Sequence, residues 1–141
     1  FMLATLGTAA AADCPKGHEI FMSCEFQNGR KAVDVCVHGN LASYRYGPTG
    51  GAAELALSVP LTDVIYAPWP GSGNSIWESV VFTNSGVEYS VYGGRSKATN
   101  DNGYPNEIYG GIEVIQNGEI IAELQCDEFS VSFPWTDAFA R

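Results

Sequence analysis

Helical periodicity is what this chain has least of. Beyond its first residues, no stretch keeps an i, i+3, i+4, i+7 apolar pattern for three turns, which argues against a helical domain. Histidine is almost missing: His18 and His38 are the whole supply, so a Ser-His-Asp device would need one of them beside an acid and a nucleophile. Asp34 and His38 share a strand face, but at roughly 3.3 Å per residue they stand about 13 Å apart, and both histidines read as surface residues. No Cys-x2-Cys pair is present, which removes the usual zinc framework. Gly71-Ser-Gly-Asn-Ser75 is not a nucleophile elbow, because no helix follows it. No apolar run is long enough to span a bilayer. Positive charge is scarce as well, with 7 Lys and Arg against 16 Asp and Glu and a net charge of −9. Between Ala98 and Ala140 there are eight acids and no Lys or Arg. A field of that sign repels nucleic acid and anionic lipid and attracts basic partners.

What is present begins with an address. Phe1 to Leu6 fits the end of a signal-peptide h-region, and Ala10-Ala11-Ala12 offers small residues for cleavage before Asp13. Residues 1–12 are therefore read as a signal-peptide remnant and 13–141 as one β domain, periplasmic or secreted. The four cysteines, Cys14, Cys24, Cys36 and Cys126, are even in number, and in an exported protein they imply two disulfides. No cofactor or metal is expected. Asn100-Asp101-Asn102-Gly103 is similar to part of a calcium loop, but Ala98 and Tyr109 occupy the positions where that template needs an acid and a glutamate. Paired carboxylates for glycoside hydrolysis carry no signal, since with 16 acids some pair always meets the distance.

Strand signals are abundant. Short β-branched and aromatic runs are punctuated by Gly, Asn and Pro, which predicts an all-β fold: a single compact antiparallel barrel or sandwich of about 8–10 strands. Three hairpins are expected. They are 19–26 with 31–38 around Asn28-Gly29, 76–83 with 87–92 around Asn84-Ser85-Gly86, and 112–116 with 119–126 around Asn117-Gly118. Strands are also expected at 41–46 and 53–59, with an edge strand at 129–133 that Pro134 would end. In the first hairpin, Asn28-Gly29 sets Cys24 opposite Val33, Met22 opposite Val35 and Phe26 opposite Lys31. Met22, Cys24 and Phe26 then share an apolar face with Val33, Val35 and Val37. Cys36 falls on the other face, opposite Phe21, so a Cys24–Cys36 bond is disfavoured. Cys24–Cys126 with Cys14–Cys36 is the favoured connectivity, and a bulge in the turn would undo the argument.

Two long loops are expected, at 67–75 and 93–107, where binding residues usually sit on a rigid β scaffold. Trp69 lies between Pro68 and Pro70 and is the best candidate for an exposed anchor. Tyr66 and Asn74 flank it, and Arg95, Lys97, Asp101, Tyr104 and Glu107 are the candidate contacts on the second loop. Trp77, at the start of a strand, is expected in the core.

The stretch Ile20-Phe-Met-Ser-Cys24-Glu-Phe-Gln-Asn28-Gly29-Arg-Lys31-Ala-Val33-Asp-Val35-Cys36, with Tyr44-Arg45-Tyr46-Gly47-Pro48, resembles the opening of small exported bacterial β proteins. It is also similar to the periplasmic lysozyme inhibitors of the MliC/PliC type, in which a first-strand Cys pairs with one near the C-terminus. Cys24 and Cys126 would match that pair. The general design is similar to periplasmic immunity proteins that guard against cell-wall-cleaving type VI secretion effectors. The inhibitor family carries a Ser-Gly-x-x-Tyr and a Trp-x-x-Lys-Gly element on its inhibitory loops. Here Ser85–Tyr89 sits on a predicted hairpin and no Trp is followed by Lys-Gly, so no inhibitory residue is carried over. Export, charge, the lack of a catalytic pattern and the resemblance together point to a non-catalytic protein, monomeric or homodimeric, that binds a basic cell-wall hydrolase or effector. The alternatives are a carbohydrate- or ligand-binding envelope module, an enzyme, and an adhesive protein that self-associates through 129–133.

Overall fold

A computed structural model describes residues 13–140, so the expected signal-peptide remnant lies outside the described residues. Nine strands are described: β1 (Glu19–Phe26), β2 (Lys31–His38), β3 (Leu41–Pro48), β4 (Leu55–Pro60), β5 (Ile65–Ala67), β6 (Ser75–Asn84), β7 (Val87–Ser96), β8 (Ile108–Gln116) and β9 (Glu119–Gln125). They form two antiparallel sheets, ordered β1-β2-β3-β4 and β5-β6-β7-β8-β9. The all-β expectation holds, and of its two forms the sandwich is observed; neither sheet closes into a barrel. A 3-10 turn at Leu61–Asp63 carries the chain from the first sheet to the second.

Turn chemistry explains this meander. Asn28-Gly29, Ser85-Gly86 and Asn117-Gly118 each pair two residues of positive φ, between 53° and 83°, as a tight hairpin turn requires. Asn84 pairs with Val87, so the β6–β7 loop has two residues instead of the expected three.

The register of the first hairpin is as read: Met22 faces Val35, Cys24 faces Val33 and Phe26 faces Lys31. Of these, Met22, Cys24, Phe26, Val33 and Val35 are buried and meet Val80, Phe82, Val91 and Ile112 from the other sheet. The rings of Tyr44 and Phe82 stand 5.6 Å apart and join the two layers. One detail differs. A bulge between Ile20 and Met22 puts Cys36 opposite Ile20, and frees Phe21 to pack edge-on against Phe133 and Phe139. The bulge lies beyond Cys24, so the face argument survives, and the disulfides are Cys14–Cys36 and Cys24–Cys126.

Several boundaries are corrected, among them the start of β8, at Ile108 rather than 112. β7 continues to Ser96, so the second loop begins at 97, not 93; Gly93 and Gly94 sit in the sheet because each lets a ring pass over it. β4 starts at Leu55 rather than 53. The expected strand at 129–133 shrinks to one bridge between Ser132 and Ser23, because Phe129 has a φ of 68° and breaks the extended run. Among the described residues, no helix is long and apolar enough to cross a membrane.

Candidate functional site

Three of the eight expected contact residues come together at one end of the sandwich. The Lys97 ammonium sits 4.7 Å from the centre of the Trp69 ring, and its backbone N–H donates to the Asn74 carbonyl at 3.0 Å. The 67–75 and 97–107 segments are thereby tied to each other. Trp69 is half-buried rather than freely exposed. Its indole N–H donates to the Ser72 carbonyl at 3.1 Å, and its ring meets Trp135 edge-on at 5.9 Å. Trp135 is 41% exposed and was not singled out in the sequence, since Pro134 and its polar neighbours carry no pattern.

Tyr66 is not a loop residue. It lies in β5 opposite Val80, stacks on Phe139 at 5.8 Å, and donates its hydroxyl to Glu78 at 2.5 Å. Glu78 is only 5% exposed. Burial raises its carboxyl above the usual range and Asp137 adds to this, while hydrogen bonds from Tyr66 and Trp135 pull the other way. The remaining expected residues are dispersed. Arg95 is held inside β7 between Ile76 and Ile108. Asp101 and Tyr104 are exposed on the 97–107 excursion, and Tyr104 is 67% exposed. Glu107 stands at its base, its N–H donating to Ser96 Oγ at 3.1 Å.

The polar stretch inside that excursion is a side-chain-capped turn. Asn100 Oδ1 accepts from the N–H groups of Asn102 and Tyr104 at 2.9 and 3.1 Å. Among the described residues no group of three or more His, Cys, Asp or Glu is placed to hold a metal ion. His18 and His38 stack at 4.5 Å, and burial lowers the His18 pKa, helped by His38 and Arg45. Asp34, fully buried, accepts from Arg45 Nε at 2.7 Å. Ser85 and Gly86 form the β6–β7 turn, and Tyr89 packs on Tyr44 in the core.

A second feature was not anticipated. The chain carries Tyr-Gly-Gly twice, at 92–94 and 109–111. On adjacent antiparallel strands the two copies pair reciprocally: Tyr92 with Gly111, Gly93 with Gly110, Gly94 with Tyr109. A Cβ at Gly94 would collide with the Tyr109 ring, and one at Gly111 with the Tyr92 ring. Each tyrosine therefore lies across its neighbouring strand, over bare backbone. Tyr109 reaches β6, where its hydroxyl shares a 2.9 Å hydrogen bond with Ser75. Trp77, opposite Gly94 and expected in the core, is 38% exposed on this same outer face. The three rings line a cleft of about 520 Å³. The doubled motif was the available signal, hidden because Gly-Gly reads as a loop.

No family model, curated protein or solved structure matches this chain.

Proposed function

We propose that this chain is a non-catalytic binding protein of the bacterial periplasm or exterior that captures and inhibits a basic cell-wall hydrolase. The observation that carries the reading is the joining of two sequence-distant loops into one rim through Lys97, Trp69 and Asn74. A rim fixed before encounter loses little freedom on binding. Trp135 offers an exposed aromatic anchor beside it, and Tyr104 another on the 97–107 excursion, residue types that dominate interface energies. The net charge of −9 supplies long-range attraction to a basic enzyme and acts mainly on the association rate. The two disulfides fit an oxidising compartment. The hydrolase target itself comes from the resemblance of the first strands.

The test is capture by the oxidised chain from secreted and envelope proteins at low and high salt, followed by titration of the captured protein's lytic activity on peptidoglycan. Expected is a basic hydrolase whose activity falls stoichiometrically, with association slowing as salt rises. Trp69→Ala should weaken the complex by about tenfold or more. Undiminished lysis by the captured enzymes at saturating protein would sink the reading.

A further inference from the structure

We propose that the outer face of β6, β7 and β8 is a glycan-binding platform for a neutral, flat, β-linked oligosaccharide. The inference goes beyond the rim and rests on different residues.

The first argument is geometric. Tyr92 and Tyr109 lie across neighbouring strands because Gly111 and Gly94 leave room for them. A ring held flat on a sheet turns one π-face to solvent, where a buried or edge-on ring does not. The reciprocal pairing of the two motifs places these two faces side by side, and Trp77 extends the row across the register from Gly94 and Tyr109. Folding gains nothing from this exposure: the outer face leaves a Trp at 38% exposure although the core lies on the opposite face of the same strand. Sugar rings with equatorial hydroxyls present C–H groups on their flat sides, and these stack on aromatic faces. A β-linked chain of such sugars is itself a flat ribbon, the shape that matches a flat row of rings.

The second argument is chemical. Ser75, Ser79 and Ser90 line the same cleft, and each hydroxyl can donate or accept. Glu113 completes it and only accepts, the complement of a sugar hydroxyl. Across the ladder Glu113 faces Glu123, so two carboxylates stand at that margin. No Lys or Arg lines the cleft. An anionic glycan or phosphate would therefore meet repulsion with no cation to answer it, and a purely apolar ligand would offer the serine hydroxyls no hydrogen bond. Few polar groups converging on an aromatic floor is the usual composition of a small-ligand site.

The experiment is an NMR titration of the oxidised chain with cellotriose, N,N′,N″-triacetylchitotriose, maltotriose and trigalacturonate, repeated at high salt. Expected is saturable binding of cellotriose or triacetylchitotriose, with shifts centred on the Trp77 indole and the Ser75, Tyr92 and Tyr109 amides, and no loss at high salt. Maltotriose, whose α-linkages curve, and trigalacturonate, which is charged, should bind at least tenfold more weakly. Tyr109→Ala should cost about tenfold in affinity. Gly94→Ala should do the same while retaining the fold, since the atoms nearest the added methyl all belong to the outer part of the Tyr109 side chain. Absence of saturable binding, equal or better binding of maltotriose or trigalacturonate, or shifts centred on Trp69 and Trp135 would overturn the proposal. Hydrolase inhibition is read with a different probe and responds to Trp69→Ala, so failure of either reading leaves the other standing.

Discussion

Glu78 shows how one side chain can be held far from its preferred surroundings. It lies at 5% exposure, with Tyr66 and Trp135 donating to it and Asp137 opposing its charge. Its folded-state pKa is raised, so between the unfolded value of about 4.3 and that raised value the native state binds more protons than the unfolded one. The contribution of Glu78 to stability is thus largest below pH 4.3 and is lost as pH rises. Glu78→Gln removes this titration. The melting temperature of the variant relative to the parent should therefore rise from pH 4 to pH 7, measured by thermal unfolding at each pH; a constant difference would contradict the assignment. Little of this was legible in advance. Tyr66 was chosen for its place beside a loop, yet its hydroxyl is committed to Glu78, and the groups that complete the cluster come from the C-terminal segment. Trp69 lies in the 67–75 segment, but its flanking prolines suggested more exposure than the Trp135 contact leaves it.

At the level of strands and turns, local chemistry was decisive where it existed. Asn-Gly pairs fixed two hairpins and the register that sets Cys24 and Cys36 on opposite faces. The tail was misread because strict alternation at 129–133 looks like a strand until the positive φ of Phe129, which is 93% exposed, interrupts it. The doubled Tyr-Gly-Gly was misread for the opposite reason: glycine signals a loop unless one knows that rings will cover it. The two glycine positions of the repeated motif have separate duties. Gly94 opens outward beneath Tyr109, whereas a Cβ at Gly110 would press 2.9 Å from the Tyr92 carbonyl and 3.4 Å from both Cys126 and Met22 sulfurs. A backbone carbonyl cannot swing aside as a ring can. Gly110→Ala should cost about 1–3 kcal/mol in denaturant unfolding, and clearly more than Gly94→Ala. Equal costs would mean that the two faces of the sheet are packed alike.

Across the whole molecule, the all-β class and the core face of the first hairpin followed from pattern, since each is set by alternation and turn type, and the same alternation excluded one of the three cysteine pairings. The sheet-to-sheet arrangement did not, because nothing local states that the chain switches layers after β4. The two disulfides act on different lengths of chain, separated by 22 and 102 residues. Closing the longer loop removes more freedom from the unfolded chain, about 4.7 against about 3.4 kcal/mol on loop entropy alone. Replacing Cys24 and Cys126 by Ser should therefore destabilise more than replacing Cys14 and Cys36, as read from urea midpoints of the two double variants. The reverse order would show that the pin on the N-terminal segment matters more than the tie across the core.

The same pairing bears on how the protein is made. A chain emerging amino end first presents Cys14, Cys24 and Cys36 long before Cys126. Oxidation in order of arrival would join Cys14 to Cys24 and leave Cys36 for the last cysteine, which is the wrong set. The native bonds interleave, so either the first hairpin must form early enough to turn Cys24 and Cys36 to opposite faces, or a thiol-exchange catalyst must undo the first bond made. Maturation of this small domain is thus a contest between the speed of a hairpin and the speed of an oxidant.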